Sequence, residues 1–226
     1  MSDLHTRIQR AVGAVECEKV MSRHVYWHSA GIHRDEWEEY WSKKVDITWG
    51  HGWGRQDDRY SYYFSYVLEK ERNAFKTFMG IKLKYPDVEN CTRLDGVAEY
   101  SNHLTTSPVI EVAEDGKSAK ALWQFQAADT RVTACGPLSI WKIGYMAADL
   151  VEEDGEFKVL NLLYALDIDH PCAEPWTEPS KYAPDPEFAA FDIPEPQPTV
   201  PMEVYRAYSV DRPYQEPPKM PVPYTT

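Results

Sequence analysis

No stretch of this chain clusters lysine and arginine; Lys82 and Lys84, for example, are interleaved with apolar residues. A nucleic-acid surface draws its affinity from such clusters. With a net charge of −12 as well, nucleic acid is not an expected partner, and the acidity reads as solubility. Long apolar runs are also missing, and the N-terminal MSDLHTRIQR has no apolar signal core, so no membrane partner is expected. Cysteine is scarce. Cys17, Cys91, Cys135 and Cys172 are widely scattered without C-x-x-C spacing, which fits free thiols in a reducing cytoplasm. None of them sits near an obvious basic partner that would activate it. There is no G-x-S-x-G elbow for Ser-His-Asp catalysis, and no G-K-[ST] follows the glycines of Gly50-His-Gly-Trp-Gly54. Nothing indicates a dinucleotide, and no cofactor is expected.

Aromatic surface, by contrast, is plentiful. Across 226 residues there are eight Trp and fifteen Tyr, and 43% of the chain is hydrophobic, enough for a real core. Trp and Tyr each carry a polar tip that needs a partner, so the surplus fits an aromatic-lined pocket or an interface. The length suits one domain with a tail.

Residues 3–29 have a helical pattern, with Ile8, Val12, Val15, Val20 and Trp27 recurring at three- to five-residue spacing, and Gly31 stops it. Residues 33–41 predict a short helix. Its acids fall in the first turn, where the macrodipole favours them, and Trp37, Tyr40 and Trp41 form its buried side. Residues 45–49 read as a short strand. Tyr60, Phe64, Leu68, Phe75 and Phe78 fall largely on one face of a third helix ending near Met79, and Pro86 closes that region. Sheet dominates from Gly96 to about Asp169 as two hairpins, with Gly136-Pro137 breaking the chain between them. Helices followed by an antiparallel meander make an α+β pattern.

Beyond His170-Pro171 lie most of the 17 prolines, so the chain becomes an extended arm. Trp176, Tyr182, Phe188, Phe191, Tyr205, Tyr208, Tyr214 and Tyr224 are more aromatics than a disordered linker carries. The arm is therefore expected to lie along its own domain or a neighbouring subunit. The expected division is residues 1–170 for the domain and 171–226 for the arm.

The densest signal runs from Ser101 to Asp129. Asp115-Gly116 lies between apolar-rich runs at 97–112 and 119–127, and Asp-Gly supplies the positive φ values that a short hairpin turn demands. His103 sits on the first strand, with Ser101 and Thr105 on its side and Asn102 and Leu104 on the other. A histidine held on a sheet face keeps one orientation and titrates near neutrality, which suits proton transfer. From strand position alone, a half-buried histidine bonded to the backbone is the favoured reading.

The run Asn102-His103-Leu104 with Val109-Ile110 and Val112, the Asp-Gly turn, and Ala119-x-Ala121-x-Trp123 together resemble the SnoaL-like branch of the nuclear transport factor 2 (NTF2-like) superfamily. The stretch from Ile143-Gly-Tyr145 through Asp154-Gly155 to Leu160 resembles the family's closing hairpin, with Phe157 where Trp is usual. The resemblance covers roughly residues 7–176. It implies an NTF2-like cone: N-terminal helices packed on a curved antiparallel sheet around one deep pocket. It also implies an acid/base role for His103, the position at which SnoaL-like dehydratases and isomerases place a histidine. The first helix of such cones often ends in a Tyr and an Asp that reach the pocket. Here Tyr26 and His28 occupy that end and no Asp is present. Either His28 substitutes, with Tyr26 donating to a developing oxyanion, or His28 simply interacts with the helix dipole.

Other residues carry two readings each. His24 and His28 share a helix face at the spacing of a metal clamp, with His33 nearby. A lone H-x-x-x-H without the Glu of H-E-x-x-H is common by chance, however, and a packed pair is favoured over metal. His51 alternates onto the side of Trp49 and Trp53 if that strand continues, as a pocket rim or a mere bulge. Trp123 and Tyr145 would form an aromatic wall of the pocket, with Trp123 equally well a core residue, and Asn161 would orient a substrate hydroxyl. Asp149 would tune His103 if buried and be inert if exposed.

The expected function is that of a cofactor-independent lyase, a dehydratase or carbon–carbon lyase acting on a bulky hydroxylated aromatic or polycyclic molecule. The Pro/Tyr-rich end, PYQEPPKMPVPY, is similar to that of formaldehyde-releasing lyases for lignin-derived diaryl compounds. A homo-oligomer, dimer or trimer, is expected. The alternative is a non-catalytic small-molecule-binding or scaffold protein, since a fold does not settle a function.

Overall fold

The computed structural model describes residues 4–30, 33–44, 48–51, 54–56, 100–133, 136–178 and 218–225. The expected third helix with Tyr60, Phe64, Leu68, Phe75, Phe78 and Pro86, together with Trp53 and most of the C-terminal arm, lies outside the described residues.

Helix α1 (Leu4–Ser29) turns Gly13, Cys17, Met21 and His24 to the interior. Ile8, Val12 and Val15, expected on that side, are instead exposed, whereas Val20 and Trp27 pack against the core. The helix carries two stripes at helical spacing, and close packing selects the one with small residues. A Cβ added at Gly13 would meet Val112 at 3.2 Å and Phe157 at 3.3 Å. Arg10 ties the helix to the sheet through Glu111 at 2.6 Å. Helix α2 (His33–Glu39) follows, and Trp37, Tyr40 and Trp41 are buried as expected.

The strands are β1 (Thr48–His51), β2 (Gly54–Gln56), β3 (Ser101–Val112), β4 (Ser118–Thr133), β5 (Gly136–Glu153) and β6 (Glu156–Pro171). They form a sheet of order β2-β1-β6-β5-β4-β3, in which β3 to β6 are an antiparallel meander and β1 joins β6 in parallel. Bulges after Thr106, Ile143 and Asp149 interrupt the register and bend a sheet that is curved and unclosed.

Two turn details differ from expectation. At Asp154-Gly155 both residues have positive φ, 55° and 86°, as a two-residue hairpin turn requires. At the Asp115-Gly116 turn only Gly116 does, at 72°. There the Gly116 N–H donates to Ala113 O at 3.0 Å, and the Ala113 N–H to Ser118 O at 2.9 Å. Gly136-Pro137 is not a break: it opens β5, pairing with Thr133 and Val132, and proline is tolerated near a strand's start. The two hairpins are therefore one continuous meander.

Side-chain parity sets the two faces. Ala119, Ala121, Trp123, Phe125 and Ala127 of β4 join Met146, Ala148 and Leu150 of β5, Leu162, Tyr164 and Leu166 of β6, and Cys17 and Met21 of α1 in one core. At the far end of the chain, Tyr224 lies over the other face. Its hydroxyl is 3.1 Å from Ser118 Oγ, and its ring centroid is 5.8 Å from Lys120 Nζ.

Candidate active site

At the C-terminal end of α1, His24 and His28 lie four residues apart and so project from one side of the helix. Helix α2 brings Glu36 beneath both: one carboxylate oxygen is 2.6 Å from His24 Nδ1 and the other 3.4 Å from His28 Nδ1. Glu36 is buried because it shares the apolar stripe of Trp37, Tyr40 and Trp41. It is thus more than a dipole-favoured surface acid. His24 stacks on Tyr40 with ring centroids 4.6 Å apart. Its Nε2 lies 2.9 Å from the Tyr164 hydroxyl of β6. Glu36, His24 and Tyr164 make one buried chain of hydrogen bonds.

The sheet contributes a second chain. His103 of β3 pairs in register with Ala127, and Asp129 follows two residues later on the same face of β4. Asp129 accepts from Ser101 Oγ at 3.0 Å and from Lys142 Nζ at 2.7 Å, with His103 Nε2 3.7 Å away. The His103 ring, 4% exposed, stacks on His28 at 4.3 Å and meets Phe125 and Tyr164 edge-on at 5.0 and 6.4 Å. Its backbone N–H donates to Ser29 Oγ at 3.4 Å, so strand and helix end are joined here.

Burial, above all, holds His103 well below the ordinary histidine range, and its neighbours His28, Lys142 and His24 push the same way electrostatically against the smaller opposing pull of Glu36. The ring is therefore neutral at neutral pH. The Asp129 carboxylate beside Nε2 favours the tautomer with its hydrogen there. That leaves the lone pair on Nδ1, an atom buried without a hydrogen-bond partner. Native structures leave few such atoms, and a catalytic role is one of the explanations for them.

Candidate ligand atoms of His24, His28 and His103 all lie within 4.8 Å of one another. Zinc held by nitrogens at its usual bond length needs them roughly 3.3 Å apart, with the ion in the plane of every ligating ring. The stacked rings of His28 and His103, 26° between planes, do not share such a point, and both nitrogens of His24 are already engaged. Glu36 links His24 and His28 through hydrogen bonds, while His103 meets the pair by stacking on His28.

The structure brings His103 and His28 together, but not Tyr26, which is 77% exposed on α1. Half a turn from His24 and His28, it faces solvent, and the phenol beside His24 is that of Tyr164. Trp123 is on the correct side of the sheet but enclosed in the core. Tyr145, Asp149 and Asn161 have the opposite parity. Asp149 binds Asn161 Nδ2 at 2.9 Å and Lys120 Nζ at 2.8 Å on the outer face, so Asp129, not Asp149, is the carboxylate beside His103. Trp49 and His51 lie on β1, whose backbone pairs with β6 at 161–163.

Sequence reading missed Glu36, Asp129, Lys142 and Tyr164. The signal for Glu36 was its place four residues before Tyr40, and for Asp129 the odd-numbered run from Ala119 to Ala127 that continues into it.

No family model and no curated protein matches this chain. Among solved structures, the Kfla4162 protein from Kribbella flavida is similar with a TM-score of 0.51 at 12% identity, covering 71% of this chain and 94% of its own. A hexachlorocyclohexane dehydrochlorinase (LinA type 2) gives 0.49 at 13% identity, covering 78% and 99%. An NTF2-like superfamily protein from Salmonella enterica gives 0.48 at 9% identity, covering 69% and 92%. At such identities the likeness concerns fold alone. An N-terminal helix packed on a curved, unclosed antiparallel meander is consistent with the NTF2-like cone.

Proposed function

We propose that the protein is a cofactor-independent lyase that works by acid/base catalysis on a bulky hydroxylated aromatic or polycyclic molecule. The observation that carries this reading is the unpartnered Nδ1 of His103, buried on a neutral ring beside a carboxylate. A lone pair in that setting is a base kept from water.

In a dehydration, His103 Nδ1 takes the hydrogen of the carbon next to a C–O bond. The C–H electrons become the new double bond, the C–O bond breaks, and the departing oxygen takes a proton from Tyr164 to leave as water. Glu36 and His24 hold the phenol for that transfer, the role first expected of Tyr26. His28 covers one face of the base. In a carbon–carbon lyase the first proton comes instead from a primary hydroxyl. Formaldehyde then departs, and the electrons of the broken C–C bond expel the neighbouring hydroxyl. The rings of Phe125, Tyr40 and Tyr164 around the histidines suit an aryl substrate, with Trp49, His51 and Trp53 proposed as the rim.

The test is a panel of hydroxylated diaryl and polycyclic alcohols, followed by alkene absorbance and formaldehyde release, with wild type beside His103→Gln. Turnover lost in a variant with a native circular-dichroism spectrum supports the proposal, and equal turnover in both rejects it. The packing of His103 against three rings favours a second reading, a non-catalytic binding module. On that reading the panel yields ligands that bind but no product.

A further inference from the structure

Asp129 sits among three side chains of the inner face. Ser101 stands directly opposite it on β3, and His103 is its diagonal neighbour on that strand. Lys142 is its diagonal neighbour on β5, in the row that His103 and Ala127 begin. The carboxylate divides its oxygens between them. Oδ1 accepts from Ser101 Oγ at 3.0 Å and lies 3.7 Å from His103 Nε2, while Oδ2 accepts from Lys142 Nζ at 2.7 Å. The Lys142 side chain is only 13% exposed, so its charge is held away from bulk water. Tying β4 to β5 does not require that: Lys120 and Asp149 make the same tie on the outer face with far less desolvation.

We infer that Lys142 is a positioning residue for the proposed base: it neutralises Asp129, so that the carboxylate orients the His103 ring without drawing a second proton onto it. The inference rests on the reading of His103 as the base. At low effective dielectric a bare carboxylate 3.7 Å from the ring would hold it as imidazolium, and an imidazolium has no lone pair on Nδ1. With the ammonium on its other oxygen, the same carboxylate still favours the hydrogen on Nε2 while most of its field is cancelled. Lys142 also acts on the ring directly, as one of the neighbours that hold it below the ordinary histidine range. The other titratable groups around the ring are His24 and His28 of α1, Glu36 of α2 and Tyr164 of β6. Asp169 of β6 stands opposite Lys142, and its carboxylate would pull in the same direction as Asp129 once the ammonium is gone.

The readout is the titration of the His103 ring by NMR in the full chain, assigned among the seven histidines by the signal that His103→Gln removes. Lys142→Gln keeps a donor for Asp129 and removes the charge, and Lys142→Met is a second neutral variant. In both, the midpoint should rise by about one pH unit or more and pass the ordinary value of about 6.5. Lys142→Arg, which keeps the charge, should hold the midpoint where the wild type has it. Lys142→Gln combined with Asp129→Asn, which removes both charges of the pair, should bring it back below the ordinary value. A merely structural role gives another pattern: a loosened, hydrated ring returns to its ordinary value and no higher, in single and double variants alike. That pattern, or a midpoint that stays low in both neutral variants, overturns the inference. The acid limb of kcat should move with the midpoint while KM stays constant. If the midpoint moves as expected and no compound of the panel is turned over, the charge control stands and the lyase reading falls. If His103→Gln abolishes turnover and Lys142→Gln leaves the midpoint low, the inference alone falls.

Discussion

Two aspartate–lysine pairs tie β4 to β5, one on each face of the sheet, at nearly equal distances: Asp129–Lys142 at 2.7 Å and Lys120–Asp149 at 2.8 Å. In the first the side chains of Lys142 and Asp129 are 13% and 11% exposed; in the second those of Lys120 and Asp149 are 52% and 39% exposed. Distance does not separate them; water does. The inner pair works in a low effective dielectric, next to a histidine whose protonation it can influence, while the outer pair is screened by solvent and salt. A short contact is thus no guide to a functional carboxylate until its face of the sheet is known.

The largest expected effect concerns the inner face. His103→Gln should lower turnover of any substrate found in the panel by a hundredfold or more, on the order of what a positioned base contributes. Asp149→Asn should leave it unchanged. The steady-state rate constant kcat is the readout, and equal losses in the two variants would erase the distinction between the faces. Next comes Asp129→Ala, which removes the carboxylate accepting from Ser101 and Lys142. Breaking a buried pair costs about 3 kcal/mol, measurable as a lower midpoint of urea unfolding at constant slope.

The third effect is a pH dependence. The folded-state value of His103 is depressed by burial, so the unfolded chain takes up its proton first as pH falls. The stability this group supports is complete above about pH 6.5, the unfolded histidine value. It declines below that, as pH falls toward the folded value, at up to about 1.4 kcal/mol per pH unit. His103→Gln should flatten that part of the stability–pH curve. In the wild type the acid limb of activity should lie below the ordinary histidine range, not near neutrality. A limb at neutral pH would mean that the ring is more hydrated than its 4% exposure implies.

Much of this arrangement was legible in the chain. Alternation along the strand placed His103 on a face with Ser101 and Thr105, the Asp-Gly turns placed the hairpins, and Trp37, Tyr40 and Trp41 declared the inner side of α2. What was hidden depended on partners distant in sequence. Helix α1 offered two stripes at the same spacing, and only the closeness of Val112 and Phe157 to Gly13 chooses between them. Tyr26 and Tyr164 are both tyrosines near a histidine in one sense or another, but only β6 carries its phenol to His24. Glu36 read as a helix-start acid until its two histidines, eight and twelve residues earlier, came over it.

The smallest effect sharpens the comparison from the outer side. Lys120 and Asp149 form a direct bond, and that bond is the main reason the ammonium of Lys120 is held above its ordinary value. Both groups are more than a third exposed, so solvent screening removes most of that benefit, and exposed pairs are worth about 0.2–1 kcal/mol. Asp149 has a second partner in Asn161, which an asparagine at 149 can still engage. Asp149→Asn should therefore cost no more than about 0.5 kcal/mol at low ionic strength and almost nothing in molar salt. Asp129→Ala should keep its full cost in both conditions, because salt does not reach the inner face. Urea unfolding of the two variants, with and without salt, gives the four numbers. A salt-insensitive loss at Asp149 would show that the C-terminal segment around Tyr224, which lies over Lys120, seals the outer pair from water as the helix side seals the inner one.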